Sequence, residues 1–131
     1  MGLDVLHLIL CDRVETDPNN YHRCNIFGLT TSIRSATTPW FPVVHPQLLA
    51  LVVWNGGQGT GELTLRIIED GSASIGFRTR PRQVCFVGDA TAVGGVVFRN
   101  QNGAFPGAGL YWVEVLFDGL VIARQRLAVR A

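Results

Sequence analysis

The sequence predicts an all-β fold, a sandwich or barrel of about eight antiparallel strands, on three observations. No segment of ten or more residues carries a helical period. β-branched and aromatic residues recur instead in short runs separated by Gly, Pro, Asn and Asp. The chain has 131 residues, enough for one hydrophobic core and too few for two, so residues 1–131 read as a single domain.

The first strand is placed at Val5 to Arg13. Its apolar segment, Val5 to Leu10, lies between Asp4 and Asp12, with no basic region before it and no small-residue cleavage site after it. It is too short for a signal peptide or a membrane span, and it reads as the first strand of a cytoplasmic protein. The second strand is placed at Cys24 to Ile33. Between it and the third lies SATTPWFPVVHPQ, Ser35 to Gln47, whose three prolines predict an extended crossing between two sheets. Gln47 to Trp54, QLLALVVW, is apolar at both parities, so both of its faces should be covered, as in a central strand.

At Trp54 begins WNGGQGTGE, with Gly56, Gly57, Gly59 and Gly61 close together. A phosphate loop needs backbone amides followed by a helix N-terminus and, usually, a lysine. Here Gly61 is followed by Glu62 and a strand, so the segment reads as a mobile connection at one end of the fold. Glu62 to Glu69 alternates, with Leu63, Leu65 and Ile67 on one side and Glu62, Thr64 and Arg66 on the other. Glu69-Asp70-Gly71 is a turn. Further strands are placed at Ala73 to Thr79, Ala92 to Arg99, Gly109 to Phe117 and Leu120 to Val129, with a short one at Val84 to Val87.

The last two strands form a hairpin about Asp118-Gly119. A two-residue turn would set Val113 opposite Arg124 and mix core with solvent. A three-residue connection with Gly119 left-handed groups Tyr111, Val113, Val115, Val121, Ala123, Leu127 and Val129 into a core face. The outer face then carries Trp112, Leu116 and Ile122 around Glu114 and Arg124, which is apolar for a solvent face and marks a contact.

Composition narrows the partners. Eleven basic and ten acidic residues nearly cancel, which argues against a chain that tracks nucleic acid or an anionic membrane. All the basic residues are arginine, and the absence of lysine excludes Schiff-base chemistry. Apolar residues make up 47%, charged residues 16%, and the mean hydropathy is +0.24, so either the core is unusually full or a partner covers apolar surface. Three cysteines, an odd count, argue against a disulfide framework.

In FPGAGLYWV, Tyr111 follows Pro106, Gly107 and Gly109 at the start of a strand. This resembles the tyrosine corner of immunoglobulin-like sandwiches, in which the phenol bonds back to nearby backbone. Val113 stands where antibody domains carry their second cysteine. Over nearly its whole length the chain resembles a family of small bacterial proteins of unknown function. The resemblance rests on LILCD at Leu8 to Asp12, NIFGL at Asn25 to Leu29, FPVVHPQL at Phe41 to Leu48, LTLRIIEDG after the glycine-rich segment, and the closing FPGAGLYWVEV. It implies a disulfide-free, immunoglobulin-like β-sandwich of cytoplasmic bacterial origin and lends no catalytic residue.

Side chains that could carry chemistry are scattered. Cys11, His22 and Cys24 are zinc-ligand types, but buried thiols and a surface histidine explain them as well. Cys85, between Val84 and Phe86, could be a nucleophile with His45 as base, yet reads as half-buried and inert. Asp12 with Glu15, and Glu69 with Asp70, would need a shared cleft to act as an acid–base pair. Arg78, Arg80 and Arg82 alternate and can share one face, with Phe77, Phe86 and Trp40 as stacking partners. The expectation is therefore a non-enzymatic structural or protein-interaction module without cofactor or metal. It would self-associate, or bind another protein, through Trp112, Glu114, Leu116, Ile122 and Arg124. The alternative is a small-ligand or carbohydrate-binding domain, or a hydrolase, that uses the 39–46 and 55–61 loops with Trp40, Trp54 and Gln58.

Overall fold

Alternating apolar residues need two sheets to bury them, and the chain supplies two that face each other across one core. A computed structural model describes residues 3–34, 43–71, 75–87 and 93–130; for Asn20, Tyr21, His22, Val43, Ile75, Val87 and Asn102 it describes the backbone only. The strands are β1 (Leu3–Cys11), β2 (Arg13–Asp17), β3 (Asn20–Phe27), β4 (Ser32–Arg34), β5 (Val43–Gly56) and β6 (Gln58–Glu69). They continue with β7 (Ile75–Arg78), β8 (Arg82–Val87), β9 (Val93–Phe105), β10 (Gly109–Phe117) and β11 (Leu120–Arg130). One sheet has the order β1-β5-β9. The other runs β4-β11-β10-β6-β7, with β8 also on β6. β2 and β3 form a separate hairpin. The described residues thus give eleven strands rather than about eight, and β4 lies parallel to β11, so the fold is not wholly antiparallel. They contain no helix long and apolar enough to cross a membrane.

β5 is the central strand that its two-sided apolar pattern predicts. Leu48, Ala50, Val52 and Trp54 enter the core, while Leu49 and Leu51, on the other side, are also buried. The strand begins before Gln47 and runs through Pro46. There β5 has not yet met β1, whose pairing reaches only Leu49, so the missing N–H of proline falls where one edge is open. Facing β5 across the core are Leu63, Leu65 and Ile67 of β6, Tyr111, Val113 and Val115 of β10, and Leu127 and Val129 of β11.

The C-terminal hairpin departs from expectation in its turn. Phe117 pairs with Leu120, so the connection has two residues, Asp118 (φ 47°) and Gly119 (φ 86°). Both are left-handed, as the favoured two-residue turn requires. The register change assigned to a longer turn comes instead from a bulge: Val115 pairs with Ala123 and Leu116 with Val121, leaving Ile122 as the extra residue. The bulge brings both Ile122 and Ala123 against the core and leaves Val121 43% exposed. Ile122 therefore does not belong to the outer face, and Val121 does not belong to the core.

The glycine-rich segment is not a long loop, because β5 runs to Gly56 and β6 starts at Gln58. Gly56 and Gly57, with φ of 74° and 86°, carry the chain from one sheet to the other, and Gln58 already pairs with Val87 of β8. A Cβ on Gly57 would stand 2.7 Å from the Phe86 ring, and one on Gly61 would collide with the Phe117 ring. The glycines thus seat an edge-to-face aromatic row: Trp54 to Phe86 at 5.9 Å between centroids, and Phe86 to Phe117 at 5.6 Å.

Tyr111 forms the corner bond expected of it. Its hydroxyl donates to the Gly107 carbonyl at 2.8 Å and accepts from the Gly107 N–H at 3.3 Å. Burial, the main cause, raises the phenol pKa, opposed by the Gly107 hydrogen bond and aided by Glu69.

Candidate interaction surface

Because Leu65 and Ile67, Val113 and Val115, and Leu127 and Val129 point inward, their neighbours in sequence line the outer face of the larger sheet. Strand register aligns them in rows. Arg78 of β7 pairs with Arg66 of β6, Arg66 with Glu114 of β10, and Glu114 with Arg124 of β11. The next row is Ile68, Trp112 and Arg126. Farther along, Arg130 of β11 pairs with Arg34 of β4, on the side opposite the buried Val129–Ile33 pair.

Glu114 holds the centre. Its side chain is only 6% exposed, and Arg66 Nε donates to its Oε1 at 2.7 Å while Arg124 Nε stands 3.5 Å from Oε2. Taking a carboxylate so far from water costs free energy, which such partners offset. Arg124 also lies over the Trp112 ring, 3.9 Å from its centroid, with Arg126 at 5.2 Å. The indole Nε1 donates to Asp70 Oδ1 at 2.9 Å. Trp112 is thereby fixed at its edge by one hydrogen bond and over its ring by two guanidinium groups.

Of the residues expected on this surface, Trp112, Glu114 and Arg124 meet as a connected group. Leu116 lies beside them but is buried, at 2% exposure, and Ile122 turns inward. The face is therefore cationic and amphipathic rather than broadly apolar. Sequence reasoning missed Arg66 as the main partner of Glu114, because nothing local shows that β6 pairs with β10. It also missed Arg34, Arg126 and Arg130, whose alternation on β11 and β4 was legible once the core face was assigned.

The other candidates separate. Trp54 is buried against Phe86 and Gly94, whereas Gln58 is exposed; Trp40 lies outside the described residues. Arg78 ends β7 and Arg82 begins β8, and each pairs with a different part of β6, so Arg78, Arg80 and Arg82 do not alternate along one strand. Phe77 and Phe86, their expected stacking partners, pack against the core. Cys85 is exposed on β8 near the Trp54 end of β5, whereas His45 stands nine residues back along that strand, about 30 Å away in extended chain. They do not form a dyad.

Cys11 is buried and Cys24 exposed. Burial, the main cause, raises the Cys11 thiol pKa, against a backbone hydrogen bond at Arg13 and with small contributions from Asp12 and Cys24; this direction opposes thiolate formation. The His22 side chain lies outside the described atoms, and among the described residues no three His, Cys, Asp or Glu side chains converge as metal ligands.

A second feature was not foreseen. The β2–β3 hairpin leans over the outer face of the smaller sheet and leaves a groove of about 660 Å³. Leu51, Val53, Val93 and Val97 line it, with Arg23 and Arg82 as its cations. The hairpin was legible in Asp17-Pro18-Asn19-Asn20, a strong turn sequence, and the Asn19 N–H indeed bonds to Asp17 Oδ1 at 2.9 Å.

Comparison with known proteins gives a family and a fold likeness. Residues 6–130 match the model of a family of unknown function, DUF6941. No curated protein matches the chain. Among solved structures, the chain is similar to the Pseudomonas fluorescens alkylpurine DNA glycosylase AlkC bound to DNA containing an abasic site analog. The two are 12% identical with a TM-score of 0.56, over 98% of this chain and 30% of that one. The likeness concerns fold alone.

Proposed function

The chain belongs to DUF6941, a family of unknown function, and from that premise we propose that it is a non-enzymatic protein-interaction module built as an immunoglobulin-like β-sandwich. The Tyr111 corner bond and the two facing sheets support that architecture. Three free cysteines, one of them buried, suit a reducing bacterial cytoplasm.

The observation that carries the functional reading is the outer face of the larger sheet, where Trp112 and Arg124 are held in place before any partner arrives. Trp and Arg are the residues that most often dominate protein interfaces, and fixing them beforehand lowers the ordering cost of binding. A second reading, a small-ligand site, is favoured by the groove beneath the β2–β3 hairpin, whose volume and apolar lining suit a small molecule.

Both readings meet one experiment. The tagged chain is expressed in its native cell, and the material it retains is compared among wild type, Trp112→Ala and Arg23→Ala. The interaction reading predicts that Trp112→Ala loses a stoichiometric protein partner that Arg23→Ala keeps. Retention of that partner by Trp112→Ala would overturn it, and a bound small molecule lost only in Arg23→Ala would establish the groove instead.

A further inference from the structure

Arg34, Arg66, Arg78, Arg124, Arg126 and Arg130 all lie on the outer face of the larger sheet, six of the chain's eleven arginines. The carboxylates on the same side, among the described residues, are Glu62 and Glu114, with Asp70 at one end and Asp118 at the other, so six arginines face four carboxylates, an excess of two positive charges. Asp70 and Glu114 are already engaged, by Trp112 and by Arg66 and Arg124. A chain with a formal net charge of only +1 has thus gathered its positive charge on one side.

We infer that this face receives an extended acidic segment of another protein, laid along β11 with carboxylates at alternate positions. The inference rests on the interaction reading above and names the partner's chemistry. Its basis is spacing as well as sign. Arg124, Arg126 and Arg130 point the same way from one strand, so they stand at intervals of about 7 and 14 Å, and alternate side chains of an extended partner repeat with the same period of about 7 Å. Arg34 stands beside Arg130 on the parallel strand β4 and doubles the charge at that end. Guanidinium groups take carboxylates in bidentate pairs and are less strongly hydrated than ammonium groups, which suits a contact that must shed water.

A second copy of this chain fits poorly. A two-fold contact through this face would bring arginine against arginine. Nucleic acid fits less well than an acidic peptide for two reasons: the centre of the face is a carboxylate, Glu114, and the one aromatic ring among the described residues of this face, Trp112, is half-buried beneath Arg124 and Arg126 rather than open to a base.

The test is fluorescence anisotropy with a labelled peptide of alternating Glu and Thr, its Gln–Thr counterpart and a DNA duplex. The probes are titrated with wild type, the double variant Arg126→Glu/Arg130→Glu, and Arg99→Glu on the smaller sheet as control. Melting curves confirm that each variant is folded. The Glu–Thr peptide is expected to bind in preference to the other two probes, to weaken as salt rises, and to lose about tenfold or more in affinity in the double variant but not in the control. Equal binding of the Gln–Thr peptide, tighter binding of DNA, or indifference to the double variant would overturn the inference. If the peptide fails while Trp112→Ala still releases the native partner, the partner is not acidic and the interaction reading stands. If both fail, the reading falls with it.

Discussion

Replacing Arg66 with alanine is expected to lower stability by about 3 kcal/mol, the lower end of the range for stripping one partner from a buried ion pair. Glu114 is almost wholly removed from water, and Arg66 supplies its one short hydrogen bond, at 2.7 Å. Arg124 is half exposed and 3.5 Å away, so it cannot take over the whole load. The loss shrinks when both charges go. Arg66→Met with Glu114→Leu removes the desolvated carboxylate along with its partner, and the double variant should recover most of the loss. Urea unfolding of the two single variants and the double variant checks this through the midpoint at constant slope. A loss below about 1 kcal/mol in Arg66→Ala, the level of a surface pair, would show that Glu114 is solvated and that the centre of the face is not preorganised.

Gly57→Ala should cost about 3 kcal/mol from two sources that can be separated. The backbone at Gly57 has φ +86°, which an L-residue adopts at roughly 1–2 kcal/mol. The new methyl would also stand 2.7 Å from the Phe86 ring, which is held edge-on between Trp54 and Phe117, and such overpacking costs about 1–3 kcal/mol. Phe86→Leu introduced into the Gly57→Ala chain makes room for the methyl but leaves the backbone strained. Compared with Phe86→Leu alone, the glycine substitution should then cost only the conformational part, read as a smaller shift in thermal midpoint. An unchanged cost would assign the whole effect to backbone strain and remove the aromatic row as the reason for the glycines.

These two sites show which physical signals a sequence displays and which it hides. The two-sided apolar pattern of QLLALVVW is a local signal, and it correctly marks β5 as central with both faces covered. The corner at Tyr111 is equally local, since donor and acceptor are four residues apart. The core face of β10 was legible from alternation. The hairpin turn was not, because a bulge at Ile122 and a longer turn produce nearly the same grouping of apolar residues, and only the pairing of Phe117 with Leu120 separates them.

Long-range pairing was invisible as well. Arg66 reaches Glu114 because β6 lies beside β10, forty-eight residues later in the chain. Without that pairing the outer face read as apolar residues around one ion pair rather than as rows of arginine. The role of the glycine-rich segment was hidden for a similar reason: Gly57 and Gly61 answer to Phe86 and Phe117, rings that arrive from distant strands.

Whether the outer face of the larger sheet is where this protein meets its partner is read by mapping backbone and indole N–H signals by NMR as the partner retained by the wild-type chain is added. The Trp112 indole and the amides of β10, β11 and β4 are expected to shift, while those of Val53, Val93 and Val97 stay in place. Shifts confined to the groove beneath the β2–β3 hairpin, with the Trp112 indole unmoved, would contradict this.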